Sequence, residues 1–123
     1  MVIRIASAVL TLAGLLALIS GVLFWTGAAQ NLMTLHMLLG FLAVGALWVI
    51  GLAQAFAQHG SWIIAAGALI VGAVMIVLGV TQSALLPGEY HWIIQAIHSA
   101  LGLLTIGLGH MAAARYPKAS IGK

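Results

Sequence analysis

Trp62–Ala84 reads WIIAAGALIVGAVMIVLGVTQSA and contains no charged side chain. It belongs to a longer run, residues 5–88, that lacks Lys, Arg, Asp and Glu altogether. Of the 123 residues in the chain, 64% are hydrophobic and 4% are charged, too few charges to give a water-soluble domain a polar surface. Because no polar face recurs with the period of a helix, the sequence indicates an integral membrane protein.

Four segments are long enough to cross a bilayer, which takes about 20 apolar residues per helix. We predict spans at residues 5–25, 32–56, 62–84 and 92–114, separated by short links with turn-forming residues. Consecutive helices joined by such short links are antiparallel neighbours. The predicted fold is therefore all-α, an up-down-up-down four-helix membrane bundle in a single transmembrane domain, residues 1–123. The first span is too long for a typical signal peptide, so we interpret it as a retained helix.

Basic residues lie near both ends of the chain, with Arg4 at one end and Arg115, Lys118 and Lys123 at the other. The preference of Lys and Arg for the cytoplasmic side places both termini in the cytoplasm of a bacterial inner membrane. The loops at 27–31 and 85–91 then face outward. The net charge of +3 comes largely from this C-terminal tail, which orients the chain in the lipid bilayer and does not indicate nucleic-acid binding.

Several classes of chemistry have no support in the sequence. The chain contains no cysteine, which excludes disulfides, iron–sulfur ligation and the covalent attachment of a c-type haem. It also lacks a glycine-rich phosphate loop, a nucleophile elbow and an H-E-x-x-H motif. Most hydrolase and nucleotide chemistry is therefore not expected.

The second and fourth spans share the pattern H-x-x-L-G-x-L-x-x-G, which begins at His36 and again at His98, 62 positions later. The first and third spans also align, with Gly21 opposite Gly79. Two repeats of two spans have the same orientation, so a pseudo-twofold axis would run along the membrane normal. That axis predicts that the two histidines face each other at one depth.

Glycines accompany both histidines. Gly40 and Gly102 each follow a histidine by four residues, about 400° of helical rotation, and so share its face one turn deeper. Gly21 and Gly79 lie at a similar depth on the other two helices. Missing side chains let a flat macrocycle approach the backbone, and ionisable residues within spans usually mark function. We therefore predict axial ligation of one haem iron by both imidazoles.

With histidines on two alternate helices and glycines on the other two, the chain resembles the membrane-embedded b-type cytochromes. The resemblance covers the whole chain as architecture and implies one haem b, bound near the outer side by His36 and His98. It implies electron transfer between quinol or a periplasmic redox partner and another redox protein. We do not expect a second haem, because the position that corresponds to His110 in the second span is Trp48.

The candidate quinol site is the cluster Glu89, Tyr90 and His91, which offers a proton acceptor close to the haem edge. The stretch that starts at Pro87 is similar to the Pro-Glu-Trp-Tyr stretch of respiratory cytochrome b subunits, with a different order of residues; a simple turn with a solvated acid is the alternative. The outer loops contain no Lys or Arg for haem propionates. The expected neutral donors are Gln30, Asn31, Gln82, Ser83 and His91.

Other interpretations remain open. The histidines could bridge helices by hydrogen bonds, or bind Cu(I) with Met33 and Met37, which flank His36. The chain could be an accessory or structural subunit of a respiratory or photosynthetic complex, or a haem A synthase-like half unit. Glycine-rich faces could serve a homodimer. An ion or proton pump is disfavoured because the spans contain no acid.

Overall fold

The computed structural model describes residues 1–117. The chain forms four α-helices, α1 (Val2–Trp25), α2 (Met33–Phe56), α3 (Trp62–Thr81) and α4 (His91–Ala114). Short 3-10 helices, Gln30–Leu32 and Gln82–Ala84, precede α2 and follow α3. No strand occurs in this part of the chain, so the all-α prediction is confirmed. Lys118 and Lys123, which contributed to the predicted orientation, lie outside the described residues.

All four helices are long and apolar enough to cross a membrane, as the sequence predicts. Large hydrophobic side chains cover their outer faces; Ile63 is 86% exposed and Leu12 is 65% exposed. Such a surface is stable only against lipid or another apolar partner. The chain is therefore a multi-pass membrane protein in character, and α1 begins three residues before the predicted position 5.

The predicted turn residues end and begin the helices. After α1, Gly27 adopts a φ of 76°, and its N–H and that of Ala28 donate to the carbonyls of Phe24 and Leu23. At the start of α3, the Ser61 hydroxyl accepts a hydrogen bond from the Ile64 N–H at 3.3 Å. Gly88, with a φ of 92°, turns the chain before α4.

The tightly packed core lies away from His36 and His98. α1 and α3 each pack against α2 and α4, and α2 and α4 also contact each other. Small residues allow close approach: a Cβ on Gly51 would lie 2.7 Å from the Ala68 Cβ. The fully buried Gln54 donates from Nε2 to the Ala112 carbonyl at 2.6 Å, which ties α2 to the last turn of α4. The opposite end of the bundle, where His36 and His98 lie, is packed less tightly and contains cavities.

Candidate functional site

The His36 and His98 side chains, from α2 and α4, face each other across the bundle. Their ring centroids are 6.1 Å apart and the ring planes meet at 53°. Metal–imidazole bonds are about 2 Å long, so two imidazoles on opposite sides of one metal ion have ring centres about 6 Å apart. The observed separation matches that arrangement.

Each imidazole lies against the glycine of the preceding helix. A Cβ on Gly21 would be 3.4 Å from Cε1 and 4.0 Å from Nδ1 of His36. A Cβ on Gly79 would be 3.2 Å from Cε1 and 4.0 Å from Nδ1 of His98. These two glycines therefore admit the imidazole rings themselves, which is a more immediate reason for their position than the approach of a macrocycle.

Hydrogen bonds hold the His36 ring in place. Its Nδ1 lies 3.0 Å from the Ala17 carbonyl and 2.9 Å from the Ser20 hydroxyl, and that hydroxyl donates to the same carbonyl. A carbonyl only accepts, so Nδ1 carries the ring proton and Nε2 keeps its lone pair. Phe24 adds an edge contact to the ring, with centroids 5.2 Å apart. Nε2 is therefore the nitrogen of the His36 ring that keeps a lone pair for a metal ion.

The His98 ring lacks these partners. Its Nδ1 is buried and forms no hydrogen bond with residues 1–117. The positions that correspond to Ala17 and Ser20 in the third span are Met75 and Leu78, so the second half has no hydroxyl at the position of Ser20. The two imidazoles occupy matched positions but differ in what holds them.

A central cavity of about 310 Å³ lies between the four helices beside the histidine pair. Both histidines and all four predicted glycines line it, Gly21, Gly40, Gly79 and Gly102. A Cβ on Gly40 would meet nothing within 4 Å, and one on Gly102 would meet only the Met75 Cε at 3.6 Å. Most of the other lining residues are apolar, as expected for the pocket of a planar apolar ligand.

A second, polar cavity of about 250 Å³ adjoins the histidines on the side of the 85–91 loop. His91 lines it and is oriented by an Nδ1 contact of 3.1 Å with the Leu85 carbonyl. Of the predicted neutral donors, all but Asn31 line this cavity, and two further polar residues join them. The polar lining residues beside the histidine pair are Gln30, Gln82, Ser83, His91, Gln95 and Ser99.

The other singled-out residues lie away from the histidine pair. Glu89 and Tyr90 are exposed in the loop before α4 and line neither cavity. His110 bonds the Thr11 hydroxyl through Nε2 at 2.9 Å. Trp48 packs against Gly72, and His59 is exposed in the 57–61 loop.

Metal coordination at the pair would require ligands beyond these side chains. Among the described residues, no three histidine, aspartate or glutamate side chains form a group that could hold a metal ion by themselves. Two facing imidazoles fit an iron whose remaining ligands come from a porphyrin. The thioethers of Met33, Met37 and Met75 also line the central cavity, so the predicted copper alternative keeps its donors.

Sequence reasoning missed Ser20, Gln95 and Ser99. Ser20 directly precedes Gly21, and a hydroxyl within an apolar span beside a predicted site glycine was the available signal. Gln95 precedes His98 by three residues, about one helical turn, and Ser99 directly follows His98, so their closeness to His98 in the sequence was the available signal. Their positions correspond to Met33 and Met37, which were predicted only as thioether ligands for copper.

Comparison of the chain with protein families, with curated proteins and with solved structures gives no match.

Proposed function

We propose that the chain is a membrane b-type cytochrome that binds one haem between His36 and His98. The observation that carries this proposal is the 6.1 Å separation of the two ring centroids across a cavity that all four predicted glycines line. A helix-bridging pair of histidines would need neither the cavity nor Nε2 atoms that form no hydrogen bond with residues 1–117. Haem supplies reversible one-electron chemistry, and with both axial positions taken by imidazole the role is electron transfer.

The residues present fit a haem. The central cavity offers apolar walls and glycine backbone, and His36 Nε2 is free because Nδ1 donates to Ala17. The polar cavity would receive the two propionates with uncharged donors from Gln82, Gln95 and Ser99.

We also propose the up-down-up-down arrangement of two repeats. Helix contacts support it: α1 meets α4 with Leu10 beside Gly109 and Gly14 beside Ile106, so residue numbers run in opposite directions. α2 and α4 pair His36 with His98 and Gln54 with Ala112, so their numbers rise together.

The proposed orientation places both termini in the cytoplasm of a bacterial inner membrane and the histidine pair near the outer side. Arg4 and Arg115 at the opposite end from the pair support it. Electrons would come from quinol or a periplasmic redox protein and pass to another redox protein. Glu89, Tyr90 and His91 form the proposed quinol-oxidation site, and of these His91 lines the polar cavity. A second copy of the chain or a larger complex could be the partner in the membrane.

The absorption spectrum of the purified protein tests the proposal. We expect a Soret band that shifts on reduction with dithionite, sharp low-spin bands in the reduced form, and one haem per chain. His36→Ala and His98→Ala should each remove the low-spin spectrum. His110→Ala is the matched control, because His110 is on the same helix as His98 but bonds Thr11 instead.

Three outcomes would contradict the proposal. A colourless protein that copurifies with a large complex would favour an accessory role, and a colourless protein that binds Cu(I) would favour the metal alternative. Loss of the haem spectrum in His110→Ala to the same degree as in His98→Ala would show that the histidine pair is not the site.

A further inference from the structure

We propose that the two axial histidines are unequal: His36 is the permanent ligand, and His98 is the one that a small neutral molecule such as CO or NO displaces. This inference rests on the proposed function and adds a ligand class to its site. Ser20 is a positioning residue in this difference, because its hydroxyl contacts Nδ1 of His36 beside the Ala17 carbonyl and the corresponding residue near His98 is Leu78.

The geometry isolates that difference to one side of the pair. Both rings lie at nearly the same distances from the preceding glycine, with Cε1 at 3.4 Å from a Gly21 Cβ and 3.2 Å from a Gly79 Cβ. Both glycine-to-Nδ1 distances are 4.0 Å. The contact with the glycine is therefore alike in the two halves, whereas the two rings differ in the polar group at Nδ1 and in the Phe24 edge contact of His36.

Hydrogen bonding at Nδ1 strengthens an imidazole as a ligand. A donor bond from Nδ1–H to a carbonyl fixes the tautomer and the ring orientation and raises the basicity of Nε2. His36 has that bond, to Ala17, with the Ser20 hydroxyl 2.9 Å away to hold it. His98 has none, so its bond to iron would be the weaker of the two.

A displaced His98 ring also has a better place to go. Its Nδ1 is buried without a partner, which is a cost that rotation can relieve. The polar cavity beside it presents Gln95 and Ser99 on its own helix and Gln82 opposite. In the central cavity, which His98 also lines, the neighbour of Gly102 is the Met75 methyl group, at 3.6 Å from a Cβ, and methionine side chains adapt easily.

Titration of the dithionite-reduced haem protein with CO tests the inference. CO would replace the His98 imidazole as sixth ligand with no change in the number of electrons, and the reduced spectrum would change to that of a mixed imidazole–CO haem. Leu78→Ser gives the second half the hydroxyl of the first, and should weaken CO binding by about 2- to 10-fold, the range for one hydrogen bond.

Ser20→Ala removes the hydroxyl beside His36 and should raise the midpoint potential of the haem, since a less basic ligand stabilises the ferric form less.

Thr11→Ala is the matched control, because Thr11 is on the same helix as Ser20 and its hydroxyl contacts His110, not His36 or His98. The inference is overturned if CO does not bind to the reduced wild type, or if Leu78→Ser binds CO as tightly as the wild type does. It is also overturned if Ser20→Ala leaves the potential at the Thr11→Ala value. A preparation without haem is recognised from the first spectrum and contradicts the proposed function itself.

Discussion

The first half of the chain, α1 with α2, and the second half, α3 with α4, make corresponding contacts with different neighbours. In each half a glycine touches the imidazole of the following helix. A second glycine one heptad earlier meets the opposite half: Gly14 lies against Ile106, and Gly72 against Val44, at positions that correspond. The proposed repeat requires both pairs of contacts.

The halves differ in polarity at three pairs of corresponding positions near the histidine pair. Ser20 in the first half corresponds to Leu78, whereas Met33 and Met37 correspond to Gln95 and Ser99. In the first half, the hydroxyl lies on the preceding helix and the residues near the histidine on its own helix are methionines. In the second half, the preceding helix has a leucine at that position and the histidine's own helix has Gln95 and Ser99. The glycine contacts that bring the helices close together therefore occur in both halves, whereas the polar side chains near the histidines occur at different positions in each half. The two sides of the histidine pair are chemically unlike as a result.

Filling the central cavity should have the largest effect on haem content. Gly40→Leu adds a side chain where a Cβ meets nothing within 4 Å, so the bundle can fold while the leucine occupies the cavity. We expect haem content to fall about tenfold or more, since overpacking costs about 1–3 kcal/mol. The ratio of Soret absorbance to protein measures it. Gly45→Leu is the matched control, because Gly45 is on the same helix, equally open and outside the cavities; an equal loss there would refute a haem-filled cavity.

The next largest effect concerns the two loops at the histidine end. The 26–29 loop contains no acid, whereas the 85–90 loop contains Glu89, the single acidic residue of the chain. If Glu89 accepts the quinol proton, Glu89→Gln should slow quinol-driven haem reduction at least about 100-fold, the usual contribution of a general base. Stopped-flow reduction with a short-chain quinol measures the rate. Reduction by dithionite should stay unchanged, as should both rates in His59→Gln; a wild-type quinol rate in Glu89→Gln would assign the loop no chemical role.

The smallest effect should be a difference in stability between alanine variants of Gly14 and Gly72. A Cβ on Gly72 would meet the rigid indole of Trp48 as well as Val44, whereas one on Gly14 would meet only the Ile106 side chain, at 2.8 Å. Gly72→Ala should therefore destabilise the bundle by about 1–3 kcal/mol. Gly14→Ala should cost less, because the end of the isoleucine side chain can shift and alanine favours the helix. Thermal unfolding in detergent, followed by circular dichroism, compares the two variants; equal melting temperatures would contradict the difference in packing.

Much of the fold could be predicted because a bilayer leaves the chain few choices. Residues 5–88 carry no charge, so helices that satisfy their own backbone groups are the available structure, and Gly27 and Pro87 mark where they must end. The facing of His36 and His98 followed from an offset shared by a rare residue type. The prediction of haem follows from the same offset and remains a prediction.

The details of the site depend on how the helices rotate about their axes, which periodicity does not determine. Ser20 reaches His36 only because α1 turns that face toward α2, and no matching residue in the third span could signal the contact. Gly21 and Gly79 were expected to admit a macrocycle; both line the central cavity, and each also contacts an imidazole ring, which the sequence did not indicate. The contribution of Gln95 and Ser99 to the polar cavity was not predicted, because both residues lie within the fourth span and the polar donors were expected at the ends of the spans and in the outer loops.

The depth of the histidine pair has an energetic consequence for the membrane. His36 lies about 5 Å from the first residue of α2, and His98 lies about 10 Å from the first residue of α4; both helices begin at the same end of the bundle. Moving one elementary charge across the entire membrane costs about 2.3 kcal/mol per 100 mV, but a charge that arrives and departs through that end crosses little of the field. If the chain is the proposed cytochrome, its electron transfer alone would neither consume nor generate a transmembrane voltage, and the rate should be the same in coupled and in ionophore-treated vesicles.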